Sequence, residues 1–249
     1  MTRDYEGNIF GLDHLVEKSV RLLKEHEPSD GYYVAFSGGK DSTVMLDLVK
    51  RAGVKHDAHY NVTTVDPPEL VLFIRNQYPE VHWERPVKTM YQLIVNEGGP
   101  PTRLMRYCCR VLKEHGGEGR TVVTGIRAEE SQARSKRSEI DSGRNNPKDY
   151  VHPIFMWSKN DIWQYIAERQ LPYCKLYDEG FERLGCINCP MAGAKGRERQ
   201  LLRWPGIAKA YLAACNASVQ KRIDAGKPMM WATGQEMFDW WMEREAVTP

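Results

Sequence analysis

Apolar positions at Phe10, Leu12, Leu15, Val16, Val20, Leu22 and Leu23 recur at helical spacing, which predicts an amphipathic helix over residues 10–26. Pro28-Ser29-Asp30-Gly31 breaks that pattern. Tyr32-Tyr33-Val34-Ala35-Phe36 follows as a short apolar run, the form expected of a buried parallel strand. After a glycine-rich step, residues 41–52 read as a helix with Val44, Met45, Leu48 and Val49 on one face. The alternation continues. Strands are expected at 58–65, 81–83, 121–126 and 150–155, and helices at 68–78, 89–97, 103–114 and 158–169, the last capped by Ser158. From about residue 170 the chain turns loop-rich, and helices are expected again at about 197–225 and 234–245.

Strands and helices alternating at this spacing predict an α/β fold, a doubly wound and mostly parallel sheet of Rossmann-like type. The expected organisation is a nucleotide-binding α/β domain over 1–170, with a cysteine-bearing loop and helices over 171–249 packed on it. In such a sheet ligands bind beyond the carboxyl ends of the strands, where both the 37–42 loop and Gly125-Ile126-Arg127 are expected.

The chain has 249 residues, enough to bury a full core. Its net charge of +2 gives no overall reason to expect nucleic acid. Basic clusters at 134–137 and 195–199 are ordinary solvated faces unless something else marks them. No apolar stretch approaches the roughly 18 residues of a membrane span, and Met1-Thr2-Arg3-Asp4-Tyr5-Glu6 leads into no apolar signal region. The expectation is a cytoplasmic, reducing setting, in which the six cysteines are thiols or metal ligands rather than disulfides.

Ser37-Gly38-Gly39-Lys40-Asp41-Ser42 follows the first strand and opens a helix. The glycines let the backbone approach a ligand closely, and the helix start presents free amides and a positive dipole end. Lys40 adds a cation, the serines add donors, and Asp41 is a candidate for Mg2+ on bound phosphates. The spacing differs from a Walker A loop. Arg127 and Arg134 can hold oxyanions bidentately, or be surface arginines on a solvated helix. Cys108-Cys109 and Cys186-Ile187-Asn188-Cys189 place four soft ligands in two short segments. An iron–sulfur cluster, a zinc site and unligated core thiols all remain open on spacing alone. Cys174 and Cys215 have no partners in this pattern.

The 37–42 string resembles the pyrophosphatase loop of the adenine nucleotide alpha-hydrolase superfamily. Further segments resemble its phosphoadenosine phosphosulfate (PAPS) reductase-like family. These are Asp66-Pro67-Pro68-Glu69-Leu70, Gly125-Ile126-Arg127 with Ser131 and Arg134, His152-Pro153-Ile154-Phe155-Met156-Trp157-Ser158, Asp161-Ile162-Trp163, and Leu176-Tyr177-Asp178 leading to Gly185-Cys186. The similarity runs over roughly 10–204. It implies adenine-nucleotide binding by Ser37, Gly38, Gly39, Lys40, Asp41, Ser42, Asp66 and Gly125, with Lys40, Arg127 and Arg134 as catalytic candidates. The tandem cysteines resemble those of adenylyl sulfate reductases, which implies a [4Fe–4S] cluster on Cys108, Cys109, Cys186 and Cys189.

The resemblance also has a gap. Those reductases carry a nucleophilic cysteine near the C-terminus in a Glu-Cys-Gly-Leu-His setting, whereas residues 239–249 contain no cysteine and Cys215 lies in an apolar helical run. The expected function is therefore an iron–sulfur ATP pyrophosphatase that transfers adenylate in sulfur chemistry. Similar tools are joined in the ATPase of DNA phosphorothioation systems and in cluster-bearing tRNA thiolases. The alternatives are a sulfonucleotide reductase acting on adenylyl sulfate or PAPS, and a non-catalytic nucleotide-binding sensor or complex subunit. Expected partners are an adenine nucleotide and a sulfur-donor protein or thiol reductant. Nucleic acid and a second copy in an oligomer are further candidates, and no membrane is expected.

Overall fold

The computed structural model of the chain describes residues 2–3, 9–142, 148–228 and 230–247. Most of the segment 1–6, read above for a signal region, and the last two residues lie outside them. The chain forms two compact units that are interleaved in sequence.

The first unit comprises Met1–Asn61, Pro68–Glu84 and Gly116–Leu184. A short antiparallel pair, β1 (Thr2–Arg3) and β2 (Ile9–Phe10), leads into helix α1 (Leu12–Glu25). Then follow β3 (Tyr32–Ala35), α2 (Lys40–Ala52), β4 (His56–Asn61), α3 (Pro68–Gln77) and β5 (His82–Glu84). The same unit takes up the chain again at β6 (Thr121–Val123), α6 (Gln132–Ser135), β7 (Ile140–Ser142), β8 (Asp149–Val151) and α7 (Lys159–Glu168). Its sheet has the order β5-β4-β3-β6-β8-β7, parallel throughout except for β7. The predicted doubly wound α/β sheet is thus the observed one. Strand order reverses between β3, which leads outward to β4 and β5, and β6, which starts the other half.

Val34, Leu23, Val44, Leu48 and Ile162 are fully buried in this unit, the signature of strands and helices packed face to face. Helices α1, α2 and α7 pack together. Trp157 donates its indole N–H to Ser19 Oγ at 3.1 Å, which satisfies the polar tip of a buried ring.

Several expected boundaries differ. The strand expected at 58–65 is β4, which ends at Asn61, and residues 62–67 belong to the other unit. The strand expected at 121–126 stops at Val123, before Gly125. That expected at 150–155 stops at Val151, because residues 152–157 coil into turns closed by Phe155 N–H to His152 O and Trp157 N–H to Ile154 O. Strand β7 gave no sequence signal, since Ile140-Asp141-Ser142 is a polar edge segment.

The second unit comprises Val62–Pro67, Arg85–His115 and Gly185–Pro249. It is helical, built from α4 (Met90–Glu97), α5 (Tyr107–Leu112), α8 (Ala194–Arg203), α9 (Pro205–Asp224) and α10 (Gly234–Val247). Val65, Met90, Leu93, Ile94, Leu112, Tyr211, Ala214 and Trp241 form its core. The helix expected at 103–114 is only α5. Thr102 and Met105 close a turn before it, and Arg106 lies outside helical backbone angles. The single helix expected at 197–225 is two, because Trp204 precedes Pro205 and the ring disfavours helical geometry there.

Candidate functional site

In the first unit, the turn after β3 ends at Gly39, the N-cap of α2. Gly38 has φ +70°, and a Cβ there would stand 2.6 Å from Ile74, so both backbone angle and space demand glycine. Ser42 Oγ donates to Gly39 O at 2.9 Å and accepts from Ser37 Oγ at 3.1 Å, bracing the turn. Gly125, just past β6, approaches the same turn. A Cβ on it would meet the Asp41 backbone at 3.2 Å.

A cavity of about 160 Å³ opens here, at the point where strand order reverses. Ser37, Gly39, Lys40, Asp41, Ser42, Gly125 and Arg134 line it, together with Glu130, Tyr177 and Arg183. Those last three residues carried no sequence signal of their own as site residues. Glu130 and Tyr177 stood inside family-like segments, and the Tyr177 hydroxyl accepts the Lys40 amide at 2.9 Å.

Asp41 organises the charges. One carboxylate oxygen accepts from Lys40 Nζ at 2.7 Å and the other from Arg127 Nε at 2.6 Å. Arg127 is 5% exposed and is not among the lining residues, because it also donates to Glu129 at 2.8 Å and to Trp157 O at 3.3 Å. It thus lies behind Asp41. Arg134 reaches the cavity and pairs with Glu130.

Asp66 is in the second unit, where its carboxylate accepts the Thr63 amide at 2.8 Å. Cys108, Cys109, Cys186 and Cys189 of that unit all line one cavity of about 30 Å³, with Lys113, Asn188, Tyr211, Met90, Pro101 and Leu112 around them. All six cysteines are free thiols. The Cys108 thiol hydrogen-bonds the Cys109 sulfur, which pushes Cys108 up and holds Cys109 below the ordinary thiol range, helped by Arg106 Nη2 at 3.3 Å from Sγ. Cys186 bears on Lys113 from the facing segment and pushes that ammonium's pKa up, with Asp66 adding to the effect. Among the described residues, no three His, Cys, Asp or Glu side chains close on a single metal ion. The sulfurs border a shared space instead.

Cys174 is buried in the first unit. Cys215 is wholly buried against Val219 and Met237, and burial raises its pKa to about 12, so it stays a protonated thiol.

The phosphoadenosine phosphosulfate reductase domain matches residues 31–192, well over half of the chain. The chain belongs to this family. The PAPS reductase-like family is part of the adenine nucleotide alpha-hydrolase superfamily, and the sheet, its order and the glycine turn carry that fold. The adenosine 5'-phosphosulfate reductase of Oceanobacillus iheyensis is 27% identical over 186 residues, which cover 70% of this chain and 78% of that protein. An uncharacterized protein of Methanocaldococcus jannaschii is 33% identical over 210 residues, 75% of this chain but only 40% of that longer relative. The crystal structure of the PAPS reductase from Candida auris, a phosphate complex, superposes with a TM-score of 0.54 at 19% identity, covering 76% of this chain and 98% of that one. At that identity the likeness speaks for the fold of the family. No helix among the described residues is long and apolar enough to cross a membrane.

Proposed function

We propose that this member of the PAPS reductase-like family is an iron–sulfur enzyme that binds ATP, transfers adenylate to an acceptor oxygen and serves sulfur transfer. The acceptor oxygen would attack the α-phosphorus as the α–β bridging bond breaks. Pyrophosphate leaves, and the acceptor's proton passes to solvent. The adenylated oxygen is then a leaving group that sulfide from a donor can displace, releasing AMP.

The glycine turn supports the phosphate role through its amides and the α2 dipole. Lys40 would neutralise charge on the leaving pyrophosphate. Arg134 and Arg183, on the cavity lining, would hold its far oxygens. Arg127 acts through Asp41, and Asp41 keeps Lys40 in place. Both Asp41 oxygens are engaged by Lys40 and Arg127, so Mg2+ on the phosphates would be held by phosphate oxygens and water rather than by Asp41.

The four-thiol cavity fits a [4Fe–4S] cluster in its donor chemistry, for thiolates are the ligands and Lys113 and Arg106 offset their charge. Cys108, Cys109, Cys186 and Cys189 would hold it, and when bound it would supply iron with affinity for sulfur.

The observation that carries the ATP reading over sulfonucleotide reduction is the state of the two remaining thiols. Both are buried, and Cys215 is protonated at neutral pH, so neither is an accessible nucleophile toward a sulfate ester. The names of the reductase relatives favour the second reading, in which adenylyl sulfate or PAPS enters the same cavity. Anaerobically purified protein decides between them. Pyrophosphate and AMP formed from ATP with a sulfide donor and candidate acceptors are expected. Sulfite released from adenylyl sulfate with a thiol reductant, without pyrophosphate from ATP, would replace the first reading with the second.

A further inference from the structure

The Ile187-Asn188 step between Cys186 and Cys189 is anchored at nearly every polar atom. The Ile187 amide donates to Val65 O at 2.8 Å, and its carbonyl accepts the Tyr211 hydroxyl at 2.9 Å. The Asn188 amide donates to Gln200 Oε1 at 2.8 Å. Asn188 itself stands at φ +60°, where asparagine is among the least strained residues other than glycine. Backbone angle alone accounts for the residue type. It leaves the side chain to be explained.

Arg197 Nε donates to Asn188 Oδ1 at 2.9 Å. A guanidinium has no acceptor, so this contact decides which end of the amide is oxygen. Arg197 is fixed in turn. It is fully buried, its Nη1 donates to Trp241 O at 3.0 Å, and its guanidinium lies 4.7 Å from the Trp241 ring centroid. The other end of the Asn188 amide, Nδ2, is buried with no hydrogen-bond partner among the described residues. Asn188 is 1% exposed and lines the cavity that the four cysteines share. A buried NH2 held in one orientation without an acceptor is costly, unless an acceptor occupies the cavity that the residue lines.

We propose that Asn188 donates its Nδ2–H to a sulfur of the centre held by Cys108, Cys109, Cys186 and Cys189, with Arg197 fixing the direction of that amide. The inference rests on the iron–sulfur reading above. A donor to cluster sulfur favours the reduced, more negative state and so raises the reduction potential. Asn188 is then a positioning and tuning residue.

The test compares the full chain with Asn188→Asp and Asn188→Gly, each loaded anaerobically with iron and sulfide at pH 8. Both replacements tolerate the backbone angle, and aspartate keeps the oxygen that Arg197 holds while losing the donor. Iron and sulfide content, the electron paramagnetic resonance spectrum and a redox titration are the readouts. The expected result is iron in all three, with midpoint potentials shifted to more negative values in both variants and furthest in Asn188→Asp. Full iron occupancy with unchanged potentials overturns the donor assignment and leaves the cluster standing. A wild-type protein that takes up no iron overturns both. Should the variants fail to load, wild-type protein labelled with 15N in its asparagine side chains supplies the answer by pulsed resonance of the reduced cluster. A 15N coupling supports the donor, and its absence removes it.

Discussion

At the scale of single residues, the glycine turn carries a carboxylate whose two oxygens are both engaged within the fold. With both Asp41 oxygens engaged, Lys40 is held at the cavity wall without a search through rotamers, as the proposed phosphate role requires. Lys40→Met is expected to weaken ATP binding by about 100-fold, the scale of a lost charge-assisted contact, as read by calorimetric titration. Unchanged affinity would remove Lys40 from the site. In the second unit the tandem cysteines share one ionisation, and Cys109 takes the charge. A lowered pKa means thiolate persists to lower pH than for an ordinary cysteine. In metal-free protein at pH 6.5, Cys109 should therefore be alkylated ahead of Cys108, and Arg106→Ala should slow it several-fold. Equal labelling of the two by peptide mass analysis would contradict the assignment.

At the scale of elements, β4 shows how a strand carries polar side chains on one side of its pleat. Asp57 and His59 alternate with buried Ala58 and Tyr60, and Arg120 meets Asp57 at 2.5 and 2.8 Å. The Arg120 hydrogen bond is the main cause that holds the Asp57 carboxyl down at about 2. A carboxylate with a depressed folded-state pKa stabilises the fold above its unfolded value near 4 and loses that contribution as pH falls. Asp57→Asn is expected to cost about 1 kcal/mol at pH 7 after solvent screening, with the difference closing between about pH 4 and pH 2. Urea unfolding across that range reads it, and a pH-independent difference would contradict the ion pair.

What was legible at this scale follows from the same physics. Helices with one apolar stripe, such as α1 and α2, end within two residues of the ranges their apolar pattern predicts, and Ser158 caps α7, its hydroxyl accepting the Asp161 amide at 3.2 Å. The glycine turn was legible because its residues are contiguous. Tyr177 and Arg183 reach the cavity from a remote segment, and no local pattern announces a contact of that kind, whereas Glu130 comes with Gly125 and Arg134 from one family-like stretch. Residues 62–67 extend an apolar run beyond β4 because Val65 packs in a different core.

At the scale of the whole molecule, a nearly neutral composition conceals two opposite charges. The first unit holds 20 Lys and Arg against 24 Asp and Glu, a formal −4, and the second 15 against 9, a formal +6. The four cysteines lie within the second unit on segments that the whole of Gly116–Leu184 separates in sequence. A cluster on all four would join those segments, and its binding energy would count toward folding of that unit. Iron removal by a chelator should therefore speed amide exchange over 107–112 and 185–190 while β3 and β6 keep their protection. Uniform loosening of both units, or none, would argue against a cluster bound by both pairs.

The interleaving described for the fold has one more consequence. The chain passes between its two units five times, so neither is a stretch of sequence that a single cut could release. Truncations meant to isolate either unit would each carry fragments of the other. A lineage that dispensed with one unit would have to erode it in place, residue by residue.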